Sequence, residues 1–523
     1  MKKYIVMVLL AAITLSCLGG CGETAQNPSG AAEVEEIGDT GGLELPFTED
    51  NTEIKWVVSS SYTNLNDTYV LQKLRQLTGV NIQLQVLPTA TVGEKVKVLV
   101  ASRDIPDIIG SGFSSIEDIN DLGVQGAFAK VNDYFDIMPN YKKLYVDNPE
   151  NNWVLTSHQA ADGGLYMVHG YDVSRDVNHG VLYRKDIFDK HGIPMWNSPE
   201  EFYQALLKLK QNYPESQPFT SKMKDGLFSN LSVSWGINAF EPYYDEAEKV
   251  WKYSDTDPEM KNMLDYLKKL YDEGLLDREF LTMTQAAWTS KMTQADKAFV
   301  TWDWIGRLDM FQEQAGKVVP GYDLRYGNPI GPKGTVVTLS KVGPGTPVAK
   351  NKNTEISLKL LDFLLSPAGA ELTTMGKEGE TYELNDRGKA TFPDFPVDKK
   401  VEITDLEEKY GMFIAGACKR YDRRSSYFDF SEREQEAQDF AVKGNRFEPA
   451  DPELAFTNEE KEVITDKKNK LINAAKETFS QYILGSGSGD AAWNAWLAKA
   501  QQMGADDLVK IYNDAQKRFE ENR

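Results

Sequence analysis

The apolar positions of this chain change period as it runs. Ile54, Trp56, Val57 and Val58 make a short apolar run that reads as a buried strand. Val80, Ile82, Leu84 and Val86 alternate with polar residues until Pro88, the period-two signature of a second strand. Between the two, a helical stretch runs through Leu77 and stops at Gly79, with Asn66 and Asp67 expected to cap its start. Glu94 to Ser102 is a further helical stretch, and Pro106 to Gly110 holds a third short strand. A βαβαβ order implies a parallel sheet with right-handed crossovers. Ligands of such sheets bind beyond the carboxyl ends of the strands. That places the loops Ser60 to Asn64 and Ser111 to Phe113 at the expected site, with Tyr62, Asn64 and Ser111 as its candidates.

Farther along, Met263, Leu264, Leu267, Leu270 and Tyr271 fall on one helical face that ends at Gly274. Ile356 to Leu365 is a strongly apolar helix stopped by Ser366 and Pro367. From residue 456 to the end the pattern is helical, with Gly485 to Gly489 as a flexible link. The start of the chain follows different rules. Met1, Lys2 and Lys3 supply a positive end, and Ile5 to Ile13 is an unbroken apolar run too short for a mature membrane span, the layout of a secretory signal. Leu18-Gly19-Gly20-Cys21 resembles a bacterial lipobox, so residues 1–20 are expected to be removed and Cys21 lipidated; Cys17 is a poorer match. Residues 22–50 hold eight acidic residues and no basic one. Such a stretch buries too little apolar surface to fold, so 21–51 is expected to be a lipidated flexible tether with a reach of about 30 Å.

Composition narrows the class. The chain carries 58 Lys and Arg against 79 Asp and Glu, a formal charge of −21, which argues against nucleic-acid or polybasic membrane binding. With Cys17 discarded and Cys21 lipidated, only Cys418 remains, so no internal disulfide can form; Cys418 reads as a small buried residue rather than a nucleophile. The four histidines, His158, His169, His179 and His191, lack the spacing of a helical zinc pair, and neither a nucleophile elbow nor a phosphate loop is present. Catalysis is unsupported, and no cofactor or metal is expected. The aromatics say more. Trp302-Asp303-Trp304 follows the strand-like Ala298 to Thr301, Trp235 sits in Ser-Val-Ser-Trp-Gly, and Tyr382 in Gly-Glu-Thr-Tyr-Glu. A sugar presents C–H faces and hydroxyl edges, so flat apolar platforms beside polar groups suit it. These four aromatics are the candidates for such platforms, against the alternative that each is core.

Several segments together resemble the bacterial extracellular solute-binding proteins of family 1, the sugar-binding lipoproteins of ABC importers, and most of all their larger branch of LipO-type and alginate-oligosaccharide-binding proteins. They include Leu77-Thr-Gly-Val80, Ala101-Ser-Arg-Asp-Ile-Pro-Asp107, Asp162-Gly-Gly-Leu-Tyr166, Leu182-Tyr-Arg-Lys-Asp186, Leu267 to Gly274, Phe299 to Trp304, Leu361 to Pro367 and Gly376 to Tyr382. The resemblance implies an α/β, type II periplasmic-binding-protein fold: two α/β lobes, a hinge crossed three times, and a helical C-terminal region. The crossings are expected near 170–178, 330–338 and 376–390. The first lobe is then 52–170 plus 338–380, and the second 175–332 plus 390–523. The same resemblance puts Trp302, Trp304, Glu380 and Tyr382 against a sugar in the interlobe cleft, with Asp303, Tyr62 and Asn64 beside them. Arg423, next to Arg420 and Arg424, is a candidate from the second lobe, and Arg184 reads either as a ligand contact or as structural.

One departure is visible. Where the alginate-binding relatives carry an Asp/Asn-rich calcium loop, this chain reads Gln211-Asn-Tyr-Pro-Glu-Ser-Gln-Pro-Phe-Thr220, which lacks regularly spaced oxygen ligands. No calcium is expected there. The reading is a monomeric, lipid-anchored, non-enzymatic receptor on the extracellular face of the membrane. It captures an oligosaccharide and hands it to ABC permease subunits, and it touches the membrane only through its lipid. The alternatives are a surface polysaccharide hydrolase or lyase, and a receptor for peptides or another small solute.

Overall fold

The computed structural model describes residues 38–521 except 161, 338, 398, 400, 426–429, 445, 449–450, 452–453 and 486. The signal segment, Cys21 and the tether up to residue 37 lie outside the described residues. The first sheet is parallel, in the order β2-β1-β3, built from β1 (Glu53–Ser59), β2 (Asn81–Leu87) and β3 (Ile108–Ile109). β1 is central and therefore buried on both faces, which its continuous Trp56-Val57-Val58 run demands. Helices α1 (Tyr69–Thr78) and α2 (Val92–Ala101) make the crossovers, and α3 (Ile116–Val124) follows β3. Gly79 closes α1 with φ +70°, a conformation that favours glycine. Asn66 does not cap α1. Its amide instead clips β2, accepting from Leu84 N–H at 2.8 Å and donating to Leu84 O at 2.9 Å, because a one-turn 3₁₀ segment precedes the helix.

The chain leaves this lobe along β4 (Val168–Tyr171) and starts an antiparallel sheet with β5 (His179–Arg184) at its centre. The second-lobe helices α4 (Pro199–Asn212), α5 (Pro258–Asp272) and α6 (Gln285–Met292) follow. β6 (Val300–Trp304) pairs with β5, helix α7 (Arg307–Ala315) comes next, and β7 (Leu324–Tyr326) pairs with the other edge of β5. The register sets His179 opposite Trp304 and Val181 opposite Trp302. Met263, Leu264, Leu267 and Leu270 of α5 are buried as their spacing requires.

β8 (Val342–Thr346) returns antiparallel to β4, and α8 (Thr354–Leu365) and α9 (Pro367–Thr374) pack on the first lobe, sharing Ser366 as the end of one and the N-cap of the other. The lobe boundary expected at 390 falls too early. Residues 376–391 stay on the first lobe, and so does α10 (Ile403–Tyr410). Ala415 O accepts Ser59 N–H at 3.0 Å, and Phe413 N–H donates to Thr373 O at 2.9 Å. A Cβ on Gly110 would sit 2.2 Å from Gly416 O, so glycine is what lets the 411–419 segment lie against the sheet. The third crossing is therefore not at 376–390 but follows Lys419, whose carbonyl accepts Tyr171 N–H at 2.7 Å. The second lies at 339–342, just past the expected place, where Asp172 N–H meets Lys341 O and Leu339 N–H meets Asp176 O. Asp176 of the first crossing binds Lys341 of the second and Arg423 of the third, each at 2.9 Å. Beyond the hinge, α11 (Glu432–Lys443) packs by β7, and α12 (Asn458–Leu484), α13 (Gly489–Gln502) and α14 (Ala505–Glu521) complete the second-lobe core through Leu471, Phe479, Ile483, Trp496 and Leu508.

The tether expectation fails for residues 39–47. Asp39 O accepts Ala368 N–H, Thr40 O accepts the Asn140 amide at 3.0 Å, and Phe47 N–H donates to Thr78 O at 2.8 Å, strapping this segment across the first lobe. Hydrogen bonds to the lobe hold this segment in place, while its Leu43, Leu45 and Phe47 are only half-buried.

Candidate functional site

On the first lobe, the loop after β1 and the turn after β3 share the carboxyl edge of the sheet, as a parallel sheet dictates. Tyr62 is half-buried, its N–H donating to Ser60 Oγ at 2.9 Å, and Asn64 is exposed. Ser111 spends its hydroxyl proton on Ala415 O at 3.0 Å, so it braces the 411–419 segment instead of offering a donor to a ligand. Ala415 and Gly416 were not legible as part of this edge. Nearby, burial raises the Glu407 carboxyl, while a hydrogen bond with Ser60 opposes the shift.

On the second lobe, β5 begins eight residues past Tyr171, so its first residue lies at the hinge-facing edge, together with the end of β6. The His179 imidazole and Trp302 indole stack there, centroids 5.0 Å apart and planes within 7°. Trp304 is 37% exposed, and its ring lies over Gly306, where a Cβ would come within 2.5 Å of it. Asp303 alternates to the other face and is almost fully buried. Its Oδ1 accepts Trp304 N–H at 2.8 Å and Arg307 Nε at 3.1 Å, while Lys222 Nζ lies 2.9 Å from Oδ2, off the line of a hydrogen bond. Lys222 follows Thr220, whose N–H binds Val300 O, so it projects from the same end of the sheet as Trp304. Both cations rest on the Trp288 ring, 4.7 and 5.5 Å from its centroid. Burial lowers the His179 imidazole, with Asp303 pulling it up and Lys222 pushing it down. Sequence reasoning missed His179, Lys222 and Arg307, since none stands next to another in the chain. On the hinge-distal side, Lys461 of α12 pairs with Glu117 of α3 at 2.6 Å and ties the lobes together.

Four expected contacts change role. Trp235 is 5% exposed and belongs to the second-lobe core against Tyr266. Tyr382 is 1% exposed, and its hydroxyl donates to Glu371 at 2.6 Å; burial and that carboxylate both raise its pKa. Glu380 is claimed by Tyr69 at 2.9 Å, Lys73 at 3.1 Å and Lys377 at 3.2 Å; burial opposes its charge, but these partners outweigh it and hold the carboxyl low. Arg423 works at the hinge, on Asp176 and Val173 O. Arg184 takes its structural reading: it is buried, paired with Asp186 at 2.7 Å and laid on Tyr322. The Cys418 thiol contacts Thr373 and the Arg420 carbonyl, and burial pushes it up to about 12, too high for a nucleophile at neutral pH.

The 211–220 segment is braced by a side chain. Lys291 Nζ lies 2.7 Å from Gln217 Oε1, 2.8 Å from Asp277 Oδ2 and 3.1 Å from Glu279 Oε2, and Asp277 also accepts the Thr220 hydroxyl at 2.8 Å. Among the described residues, no group of three or more His, Cys, Asp and Glu side chains is placed to hold a metal ion.

A sequence profile described as "bacterial extracellular solute-binding protein" matches residues 70–377. Lipoprotein LipO of Bacillus subtilis (strain 168) is 23% identical over 477 residues, covering 85% of this chain and 89% of that protein. The polygalacturonan/rhamnogalacturonan-binding protein YtcQ of the same organism is 21% identical over 292 residues, 53% of each chain. Among solved structures, that of the alginate-binding protein AlgQ2 without calcium ion superposes with a TM-score of 0.60 at 22% identity, covering 91% of this chain and all of that one.

Proposed function

The chain belongs to the bacterial extracellular solute-binding protein family, whose members bind rather than transform their ligands, and from that premise we propose that it is a lipid-anchored receptor for an oligosaccharide. The sugar lies between the two lobes and is delivered to the permease of an ABC importer. The observation that carries this reading is the hinge-facing edge of the second lobe. There a stacked His179–Trp302 pair and the exposed Trp304 ring stand beside charged groups, the mixture of flat apolar faces and polar donors that a sugar ring needs. Two of the similar proteins are named for binding polysaccharides, which supports the same class. Tyr62 and Asn64 supply the first-lobe side, and Asp303 positions its neighbours from below. The three-stranded hinge offers the closing motion by which a bound sugar is shielded from water and a permease tells loaded from empty.

Anchoring rests on the lipobox-like Leu18-Gly19-Gly20-Cys21; among the described residues no helix is long and apolar enough to cross a membrane. The test is a thermal-shift and calorimetric screen of residues 22–523 against neutral oligosaccharides, uronate oligomers and peptides. A ligand at ~100 times its dissociation constant stabilises by about 2.7 kcal/mol. Trp302→Ala and Trp304→Ala should each weaken sugar binding; the melting of the free protein should stay nearly unchanged for the exposed Trp304 and fall for Trp302, which also packs against the second-lobe core. Stabilisation by peptides alone would overturn the carbohydrate reading, and normal sugar binding by both variants would overturn the site.

A further inference from the structure

We propose that the second-lobe edge of this site is built for a carboxylate carried on a sugar ring, so that the ligand is an acidic oligosaccharide; the proposal rests on the receptor reading above. Three side chains make the subsite. Lys222 and Arg307 flank Asp303 at 2.9 and 3.1 Å, and their side chains are only 15% and 18% exposed, against 2% for Asp303. Two cations share one carboxylate, so the cluster keeps a surplus positive charge. That surplus stands out on a chain whose formal charge is −21.

The hydrogen-bond inventory decides the ligand chemistry. Asp303 is the cluster's acceptor, and a ligand cannot reach it: Oδ1 is taken by Trp304 N–H and Arg307 Nε, and Oδ2 is buried beside the Lys222 ammonium without a hydrogen bond. What remains is donors. Lys222 has three N–H groups and a single oxygen neighbour, and Arg307 commits Nε to Asp303 and Nη1 to Met310 Sδ at 3.0 Å; among the described residues its Nη2 has no acceptor. A hydroxyl needs to donate as well as accept, whereas an ionised carboxylate only accepts. A surface with only donors left therefore matches a carboxylate better than any neutral sugar edge.

The setting strengthens the match. The Trp288 ring beneath both cations shields them from water on one side, and there a charge-assisted hydrogen bond is stronger than at an open surface. Arg307 also lies 6.0 Å from the exposed Trp304 ring. One sugar ring can thus rest its C–H face on Trp304 while its exocyclic carboxylate reaches the guanidinium. Arg307 is the first residue of α7, whose N-terminal end adds to the positive potential.

The experiment is calorimetric titration of the full exported chain with uronate trimers, the same trimers after reduction of their carboxyls to alcohols, and a neutral trimer bearing sulfate esters. The expected result is binding of one uronate trimer at least tenfold tighter than its reduced counterpart. Lys222→Met and Arg307→Gln should each erase most of that ratio while reduced-trimer affinity changes little, and Arg307→Lys should keep part of it. Unchanged circular dichroism and ligand-free melting exclude misfolding of the variants. Equal or tighter binding of the reduced trimer overturns the carboxylate subsite and leaves the receptor reading standing. Equal binding of the sulfated trimer overturns the carboxylate form in favour of any anionic substituent. Failure of every saccharide overturns the receptor reading, and this proposal with it.

Discussion

Lys419 sits inside the hinge with its charge unmatched. The residue is 4% exposed, its ammonium meets only the Thr346 hydroxyl of β8, and among the described residues no carboxylate pairs with it. Burial lowers its pKa to about 8, with the Cys418 thiol acting weakly against the shift. Set against about 10.4 in an unfolded chain, that difference corresponds to about 3 kcal/mol of destabilisation wherever the group is charged in both states. Lys419→Met keeps the length of the side chain and removes the charge. It forfeits one hydrogen bond, of about 1 kcal/mol, so a net gain of about 2 kcal/mol is expected at pH 7. The sign of the pH dependence follows from linkage. Between pH 8 and about 10.4 the unfolded wild-type chain holds more protons than the folded one, so wild-type stability rises with pH there and the advantage of the variant shrinks. Urea unfolding at pH 7, 8.5 and 10, with equal m-values for the two proteins, measures this. A second readout is His169, whose imidazole is lowered by burial, by His158 and by Lys419; its titration should move upward in the variant. A variant less stable at pH 7, or a difference that stays constant from pH 7 to 10, would refute the reasoning.

Lys291→Met should destabilise the second lobe by about 3 kcal/mol, because it leaves buried Asp277 without its cation. Chelation of divalent ions should leave wild-type melting unchanged, and Asp277→Asn placed on Lys291→Met should recover part of the loss in urea melts. Asp176→Asn should cost about 1–2 kcal/mol and speed amide exchange at 171–177 and 339–342. Burial opposes the Asp176 charge, but Lys341 and Arg423 outweigh it and hold the carboxyl below the usual range. Its contribution is thus complete above about pH 4 and fades as the pH falls through its folded value, so wild type and variant should converge in acid. Gly110→Ala should cost at least about 2 kcal/mol, since the new Cβ meets the Gly416 backbone and Trp56 Nε1, neither of which can swing away; a melt within 1 °C of wild type would contradict the close approach.

The parallel sheet of the first lobe is legible because each of its elements announces itself locally: a buried run at Trp56 to Val58, an alternation at Val80 to Val86, a glycine stop at Gly79. The C-terminal helices and their Gly485–Gly489 link are legible for the same reason. What is not legible is return. Nothing in residues 403–419 says that they fold back onto a sheet made three hundred residues earlier, so the lobe boundary and third crossing were placed too soon. Tyr382 shows the corresponding limit for sites. A polar neighbourhood in sequence suggests an exposed ring, but the partner of the hydroxyl is Glu371 of α9, which takes it inside. Trp302 and Trp304 stand out by their place at a strand end, whereas Lys222 reaches them only through the register of β6 with the Thr220 segment, and Arg307 only through the turn that starts α7.

The strap at residues 39–47 makes the two lobes mechanically unequal. A pull on the amino terminus enters the protein at Ala368, Asn140 and Thr78, all on the first lobe, and passes to the second through the three chain crossings of the hinge and the Lys461–Glu117 ion pair. A molecule held by that end therefore keeps its first lobe as the stator, and the half that swings is the one bearing the aromatic edge.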